Sequence, residues 1–223
     1  ARDGFRGELV ERILEDSEKT IWVSTATGVW RLRNGAWELL GPAHGLPIRA
    51  ASALFVDREN RLWIGTAEGV FRQSVNSDTF RKIVSSLSPV KAISDDARGS
   101  LWGTDSQRTL SPVANASRTG RWSRETFGAA NDVIRDRYAN LGIGTSGGGV
   151  LRLAPAAAGE GYEEPQQITQ KEGLAGDSIR ALFEDREGNI WIGMAGGVTR
   201  LTERKVTSFA EGETVSALST TSV

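Results

Sequence analysis

The chain is written in short apolar stretches of four to six residues, alternating with period two and separated by turns rich in Gly, Asp and Asn. ALFVD (53–57) and ALFED (181–185) are two such stretches, followed closely by LWIGT (62–66) and IWIGM (190–194). A third kind reads GVWRL, GVFRQ, GVLRL or GVTRL, and a more variable fourth reads AWELL, DTFRKIV or KVTSFA. No 3.6-residue apolar period is sustained anywhere, so the pattern predicts strands and no helices. Four strands in about 40 residues, joined by tight turns, predict one antiparallel meander sheet.

That unit is repeated. EDREGNIWIGMAGGVTRL (184–201) nearly copies VDRENRLWIGTAEGVFRQ (56–73), and the pattern occurs five times, anchored at Asp16, Asp57, Asp96, Asp136 and Asp185. Five residues after each anchor stands Ile21, Leu62, Leu101, Leu141 or Ile190, and then Trp22, Trp63, Trp102, Gly142 or Trp191. Two places on comes a small residue, Ser24, Gly65, Gly144 or Gly193, with Gly103 taking that place in the third unit, which is one residue short. The aspartate is expected to accept backbone N–H bonds from the turn it opens, with Gly188 supplying positive φ in the fifth unit. The tryptophan is expected to wedge between neighbouring sheets, which the small residue lets come close.

A four-stranded sheet recurring every 40–45 residues is the sequence signature of a β-propeller, because no single sheet buries both its apolar faces. The expected fold is all-β: five units at about 10–47, 48–88, 89–128, 129–175 and 176–213, after a lead-in over 1–9. Val215, Ala217 and Leu218 match Ile179, Ala181 and Leu182, so 214–223 reads as the first strand of a further unit. A closed five-membered ring would leave that strand surplus. The expectation is therefore an arc of a larger propeller of about seven blades, excised from a longer polypeptide. The third unit lacks the Gly-Val turn and predicts an irregular blade; 154–167, small and polar, predicts a surface loop.

Composition narrows the chemistry. Of 223 residues 26 are glycine, in keeping with many tight turns, and none is cysteine, which removes disulfides, thiolate zinc sites and thiol nucleophiles. A net charge of −1 gives no basic face for nucleic acid, and no apolar run reaches the roughly 20 residues of a membrane span. No cofactor or metal motif is present, and no direct membrane contact is expected.

The consensus D-x-x-G-x-[LI]-W-[IV]-G-T-x-x-G-[VL]-x-R-L, preceded by GLP or GLA, resembles the two-component regulator propeller repeat. The resemblance is close in units one, two and five, as in HGLP (44–47) with LWIGTAEGVFR (62–72), fair in NLGIGTSGGGVLRL (140–153) and weak in unit three. It implies the periplasmic or other extracytoplasmic sensor region of an inner-membrane protein, upstream of a transmembrane helix and a histidine kinase or diguanylate cyclase output. Propellers of that family typically have seven blades.

In a propeller the loop from strand four to the next strand one shares a face with the loop between strands two and three, where ligands usually meet it. That points to 44–49, 177–180, 25–27, 66–68 and 145–147, and to His44, Arg49, Lys91, Asp177 and Arg180 as candidate ligand-binding residues. Arg49, Lys91 and Arg180 would form a cationic rim for a carboxylate, a sulfate or sugar hydroxyls, a carbohydrate being one such small polar ligand. The plainer reading makes them solvated charges at strand ends, and His44, the single histidine, a loop residue. The aspartate column spreads single carboxylates around the repeats, so it reads as structural rather than metal-binding. The column tryptophans read as core, leaving Trp30, Trp37 and Trp122 as the candidates for exposed sugar platforms.

A non-catalytic sensing module leads on these residues. An enzyme stays open, either a glycoside hydrolase using a pair among Glu11, Asp95 and Asp132 or a lyase of the streptogramin-inactivating type, which would need histidine near a metal. A structural or dimerisation module also stays open, as does a homodimer formed through neighbouring domains.

Overall fold

The computed structural model describes residues 4–5, 9–75, 77–83, 87, 89–105, 110–114, 129–156, 162–202 and 206–210. The expected further strand at 214–223 and Trp122 lie outside these residues. Two compact units divide the chain, the first holding most of 1–116 and the second most of 117–223.

The first unit contains three meander sheets. Sheet one runs β1 (Val10–Glu15), β2 (Ile21–Thr25), β3 (Gly28–Arg33), β4 (Ala36–Leu40), and sheet two runs β5 (Ala51–Val56), β6 (Leu62–Thr66), β7 (Gly69–Gln73), β8 (Phe80–Ile83). Sheet three has three strands among the described residues, β9 (Val90–Asp95), β10 (Leu101–Asp105) and β11 (Leu110–Ala114). The second unit contains sheet four, β12 (Ala130–Arg135), β13 (Leu141–Thr145), β14 (Val150–Leu153), β15 (Gln166–Ile168), and sheet five, β16 (Ile179–Glu184), β17 (Ile190–Met194), β18 (Gly197–Leu201), β19 (Val206–Ala210). Within each sheet the strands follow chain order, antiparallel at every pairing described, as the alternating pattern requires. Between β14 and β15, Pro155 and Tyr162 form an isolated antiparallel bridge.

The aspartate column builds the first turn of each sheet. Oδ1 of Asp16, Asp57 and Asp136 accepts backbone N–H bonds from the residues two and four positions on, at 2.8–3.0 Å. The turn needs a left-handed residue three places after the aspartate, and Lys19, Asn60, Gly99, Ala139 and Gly188 all adopt it, with φ between 55° and 89°. Outside glycine that conformation costs about 1–2 kcal/mol. Ala139→Gly, less its own entropy cost, should therefore stabilise the protein by about 0.5–1 kcal/mol, raising the thermal midpoint by about 1–4 °C in calorimetry.

Three of the four column tryptophans pack as the sequence suggests, and Trp191 is half-buried. Trp22, Trp63 and Trp102 are each no more than 3% exposed. Trp22 joins sheets one and two in a core with Leu46, Ile64 and Phe80, and Trp63 joins sheets two and three in a core with Leu87, Val90 and Ile93. The indole also does something the turn chemistry did not suggest. Nε1 of Trp22, Trp63 and Trp191 donates to Oδ2 of Asp16, Asp57 and Asp185 at 2.7–2.8 Å, so each carboxylate holds both its turn and its wedge.

Expected exposure fails for two tryptophans outside the column. Trp30 is buried and Trp37 half-buried, because Phe5 from the lead-in folds back over both, with ring centroids 5.3 and 4.8 Å away.

Candidate functional site

One irregularity recurs in the first strand of every sheet and falls on the candidate residues. Ala51 pairs with Thr66 and Ala53 with Gly65, which leaves Ser52 as an unpaired extra residue. The same one-residue bulge falls at Glu11, Lys91, Asn131 and Arg180. Bulges re-aim a side chain out of the pleat. In two sheets that side chain ties neighbouring first strands together: Ser52 Oγ donates to the Val90 carbonyl at 2.5 Å, and Asn131 Nδ2 to the Ile179 carbonyl at 2.7 Å. In the others it is a charged group, and Glu11, Lys91 and Arg180 are all exposed. Alternation alone conceals a bulge, so only the column alignment, five residues before each aspartate, could have marked these positions as equivalent.

Loops expected to share a face meet within each unit. In the first, Arg49 Nε lies 2.7 Å from Glu68 Oε1, joining the entry to sheet two to its β6–β7 turn. His44 closes a 3₁₀ turn (Pro42–His44) ahead of Gly45, its Nδ1 accepting from Gly41 N at 3.4 Å and its Nε2 lying 3.3 Å from Glu38 Oε1. Glu38 in turn binds Arg31, which also binds Asp78 and lies 5.7 Å from the Trp22 ring centre. Arg31 lines a cleft of about 600 Å³ with Arg33, Arg61, Glu18 and Asp78. There burial opposes the Arg31 charge, but the hydrogen bonds it donates to Asp78 and Glu38 outweigh it and raise its pKa; the bond from Arg31 lowers that of Asp78.

In the second unit, Asp177 works through its backbone and side chain together. Its carbonyl accepts from Gly147 N and Gly149 N at 3.0 and 2.9 Å, and its carboxylate from Gln170 N at 2.7 Å. Arg180 projects from the bulge three residues later. Arg49, Lys91 and His44 belong to the first unit, Asp177 and Arg180 to the second.

Two of the three carboxylates open to an enzymatic role are engaged otherwise, while Glu11 is exposed. Asp132 is 2% exposed and accepts from Val133 N at 3.0 Å and from Leu182 N of the next sheet at 2.8 Å. Asp95, 1% exposed, accepts from Arg58 Nε at 2.9 Å. That pair has a counterpart in Arg137 and Glu184, at 2.7 Å. In both, the residue after one aspartate anchor reaches the acid just before the next anchor, a spacing visible in the sequence.

Two of the anchor carboxylates also have depressed pKa values. For Asp57 and Asp185 burial pushes the pKa up but is outweighed: for Asp57 by bonds from Trp63 and Arg61, for Asp185 by bonds from Asn189, Trp191 and the turn, which bring it to about 2. A folded value below the ordinary 3.8 means their stabilisation is complete above pH ~4 and is lost as pH falls toward the folded value. Circular-dichroism melts should show a flat thermal midpoint from pH 7 to 5 and a fall between about pH 4 and 2.

The sequence model described as two component regulator propeller matches residues 45–68 and 173–196. Each segment runs from a left-handed Gly45 or Gly173, through a buried Leu46 or Leu174, past the aspartate and tryptophan to the β-turn after the second strand. Both segments match the regulator propeller repeat. Solved structures that carry the same fold include two extracellular domains from B. thetaiotaomicron. One, described as from a hybrid two component system, is 22% identical with a TM-score of 0.73, over 91% of this chain and 29% of its own. Another, described as from a one component system, is 19% identical with a TM-score of 0.70, over 94% and 32%. Virginiamycin B lyase from Staphylococcus aureus, solved with quinupristin, is 14% identical with a TM-score of 0.66, over 93% and 71%. The fold is a β-propeller, and its blades are the five sheets. The chain spans about a third or less of the length of the extracellular domains it matches. The comparison with curated proteins gives no match.

Proposed function

We propose that this chain is part of the non-catalytic, extracytoplasmic sensing propeller of a membrane signalling protein. It takes a small polar or anionic ligand on the loop face and passes the event to a kinase or diguanylate cyclase output. The observation that carries this reading is the regulator propeller repeat in two separate blades, together with fold likeness to extracellular domains of signalling systems. Two exposed cations, Lys91 and Arg180, occupy the bulge column, which suits an anion or a sugar, while Asp95 and Asp132 are committed to Arg58 and to backbone N–H groups.

Further blades belong to the reading. Ile13 is 68% exposed, though its column is buried or half-buried in the other four sheets. On the open face of sheet five, Phe183 is 63% exposed beside a half-buried Trp191. Each is an apolar position of the kind that a further blade would cover.

Charge reversal in the full-length protein tests it. Sulfated and carboxylated oligosaccharides should raise the thermal midpoint of the wild type and change its output activity, through preferential binding to one state. Lys91→Glu with Arg180→Glu should abolish both effects while leaving the unliganded midpoint in place. Turnover of the saccharide would sink the non-catalytic reading, and an undiminished response in the double variant would sink the role of these two cations.

A further inference from the structure

Blade four breaks the tryptophan column, and the break leaves a shaped space. In three blades the indole is held the same way. Trp22, Trp63 and Trp191 pair in register with Arg31, Arg72 and Arg200, whose guanidinium carbons lie 5.7, 5.3 and 5.7 Å from the ring centres. The indole N–H points to the anchor aspartate's Oδ2. In blade four Gly142 stands in the tryptophan's place, in register with Arg152, and among the described residues no aromatic ring lies beneath Arg152 as one does beneath Arg31, Arg72 and Arg200.

The rest of the holder is intact. A cleft of about 440 Å³ lies between sheets four and five, lined among others by Ile134, Asp136, Gly142, Arg152, Leu182 and Ile190. A side chain could leave Gly142 into this space, since its Cβ would meet Ile134 at 3.4 Å and Leu182 at 3.8 Å, ordinary contacts. Oδ2 of Asp136 accepts from Asn140 Nδ2 at 2.7 Å. In blade five the same oxygen of Asp185 accepts from both Asn189 Nδ2 and Trp191 Nε1, at 2.8 Å each. The Asp136 oxygen therefore has room for a second donor where an indole nitrogen would lie.

We propose that the cleft between blades four and five binds a planar heteroaromatic ring of indole size, its N–H donating to Asp136 and its face lying under Arg152. The ring is either a free small molecule or a tryptophan side chain of a peptide; both offer the same chemistry. An apolar slot with one acceptor and one cation selects such a ring over a purely hydrocarbon one. This rests on the internal template of the other blades and not on the ligand face proposed above.

Saturation-transfer NMR and titration calorimetry with indole, N-methylindole and the tripeptide Gly-Trp-Gly test it. Indole should bind the wild type, and N-methylindole about tenfold more weakly, having lost one hydrogen bond to a carboxylate. Gly142→Trp should fill the slot, abolish binding and raise the thermal midpoint. Arg152→Ala, an exposed change that leaves the fold alone, should weaken binding at least about threefold. Binding of Gly-Trp-Gly as tight as that of indole assigns the slot to a peptide side chain; indole alone assigns it to a small molecule. No binding of either at the solubility limit, equal binding of indole and N-methylindole, or undiminished binding by Arg152→Ala overturns the proposal, whether or not Gly142→Trp folds.

Discussion

Trp63→Ala should lower the unfolding free energy by about 3–5 kcal/mol, while Trp191→Ala should cost about half of that or less. Both indoles donate to an anchor aspartate and both lie under an arginine, so those two terms nearly cancel in the comparison. What differs is packing. Trp63 is 1% exposed and walled by the next sheet, where Leu87, Val90 and Ile93 close around it. Trp191 is half-buried, and Phe183 beside it lies open. Truncating Trp63 leaves a cavity as well as a lost transfer energy, and truncating Trp191 mainly removes surface contact. Trp63→Phe separates the remaining part: it keeps most of the ring area and gives up the N–H, so it should cost about 1–2 kcal/mol. Urea unfolding with a common m-value measures all three. Equal losses for the two alanine variants would mean that the indole's hydrogen bond, rather than its burial between blades, holds the blades together.

The features legible in the sequence were those that every blade must solve alike. The aspartate turn, the indole wedge and the glycine beneath it recur because each sheet faces an identical neighbour, and repetition makes a local rule visible against a variable background. What stayed hidden depends on one partner in one place. Trp30 gave no sign that Phe5, 25 residues earlier, would cover it. His44 was readable as a loop residue, but its link through Glu38 to Arg31 and Asp78 depends on the course of two further strands. The bulge was hidden for another reason. It moves one residue out of the period-two register without changing any residue type, so Ser52, Lys91 and Arg180 look like ordinary strand positions until pairing is seen. Candidate ligand residues concentrate in such places, where loops converge and registers slip, and so they are less legible than the scaffold that presents them.

Gly65→Val should be as severe as the loss of an indole, and its cost should depend on which blade is changed. A Cβ at Gly65 would lie 2.8 Å from Ala53 Cβ on the paired strand and 2.8 Å from Val90 Cγ1 on the next sheet. Ala53 and Val90 are both buried, at 1% and 0% exposure, so neither swings aside. The blades must part, and the expected loss is about 3 kcal/mol or more, at the upper end of overpacking costs. Gly193 holds the same column in blade five, where among the described residues a Cβ would meet only Ala181, at 3.7 and 3.8 Å. Gly193→Val should therefore change the stability of this chain by less than about 1 kcal/mol, valine's strand preference offsetting part of any strain. The same substitution then becomes a probe for a further neighbour. In a longer polypeptide that packs a further blade against sheet five, Gly193→Val should become as damaging as Gly65→Val, because the new blade supplies the wall that Val90 supplies in blade two. If it stays harmless there, the face bearing Phe183 and Trp191 is not a blade junction, and an arc of a larger propeller is the wrong description.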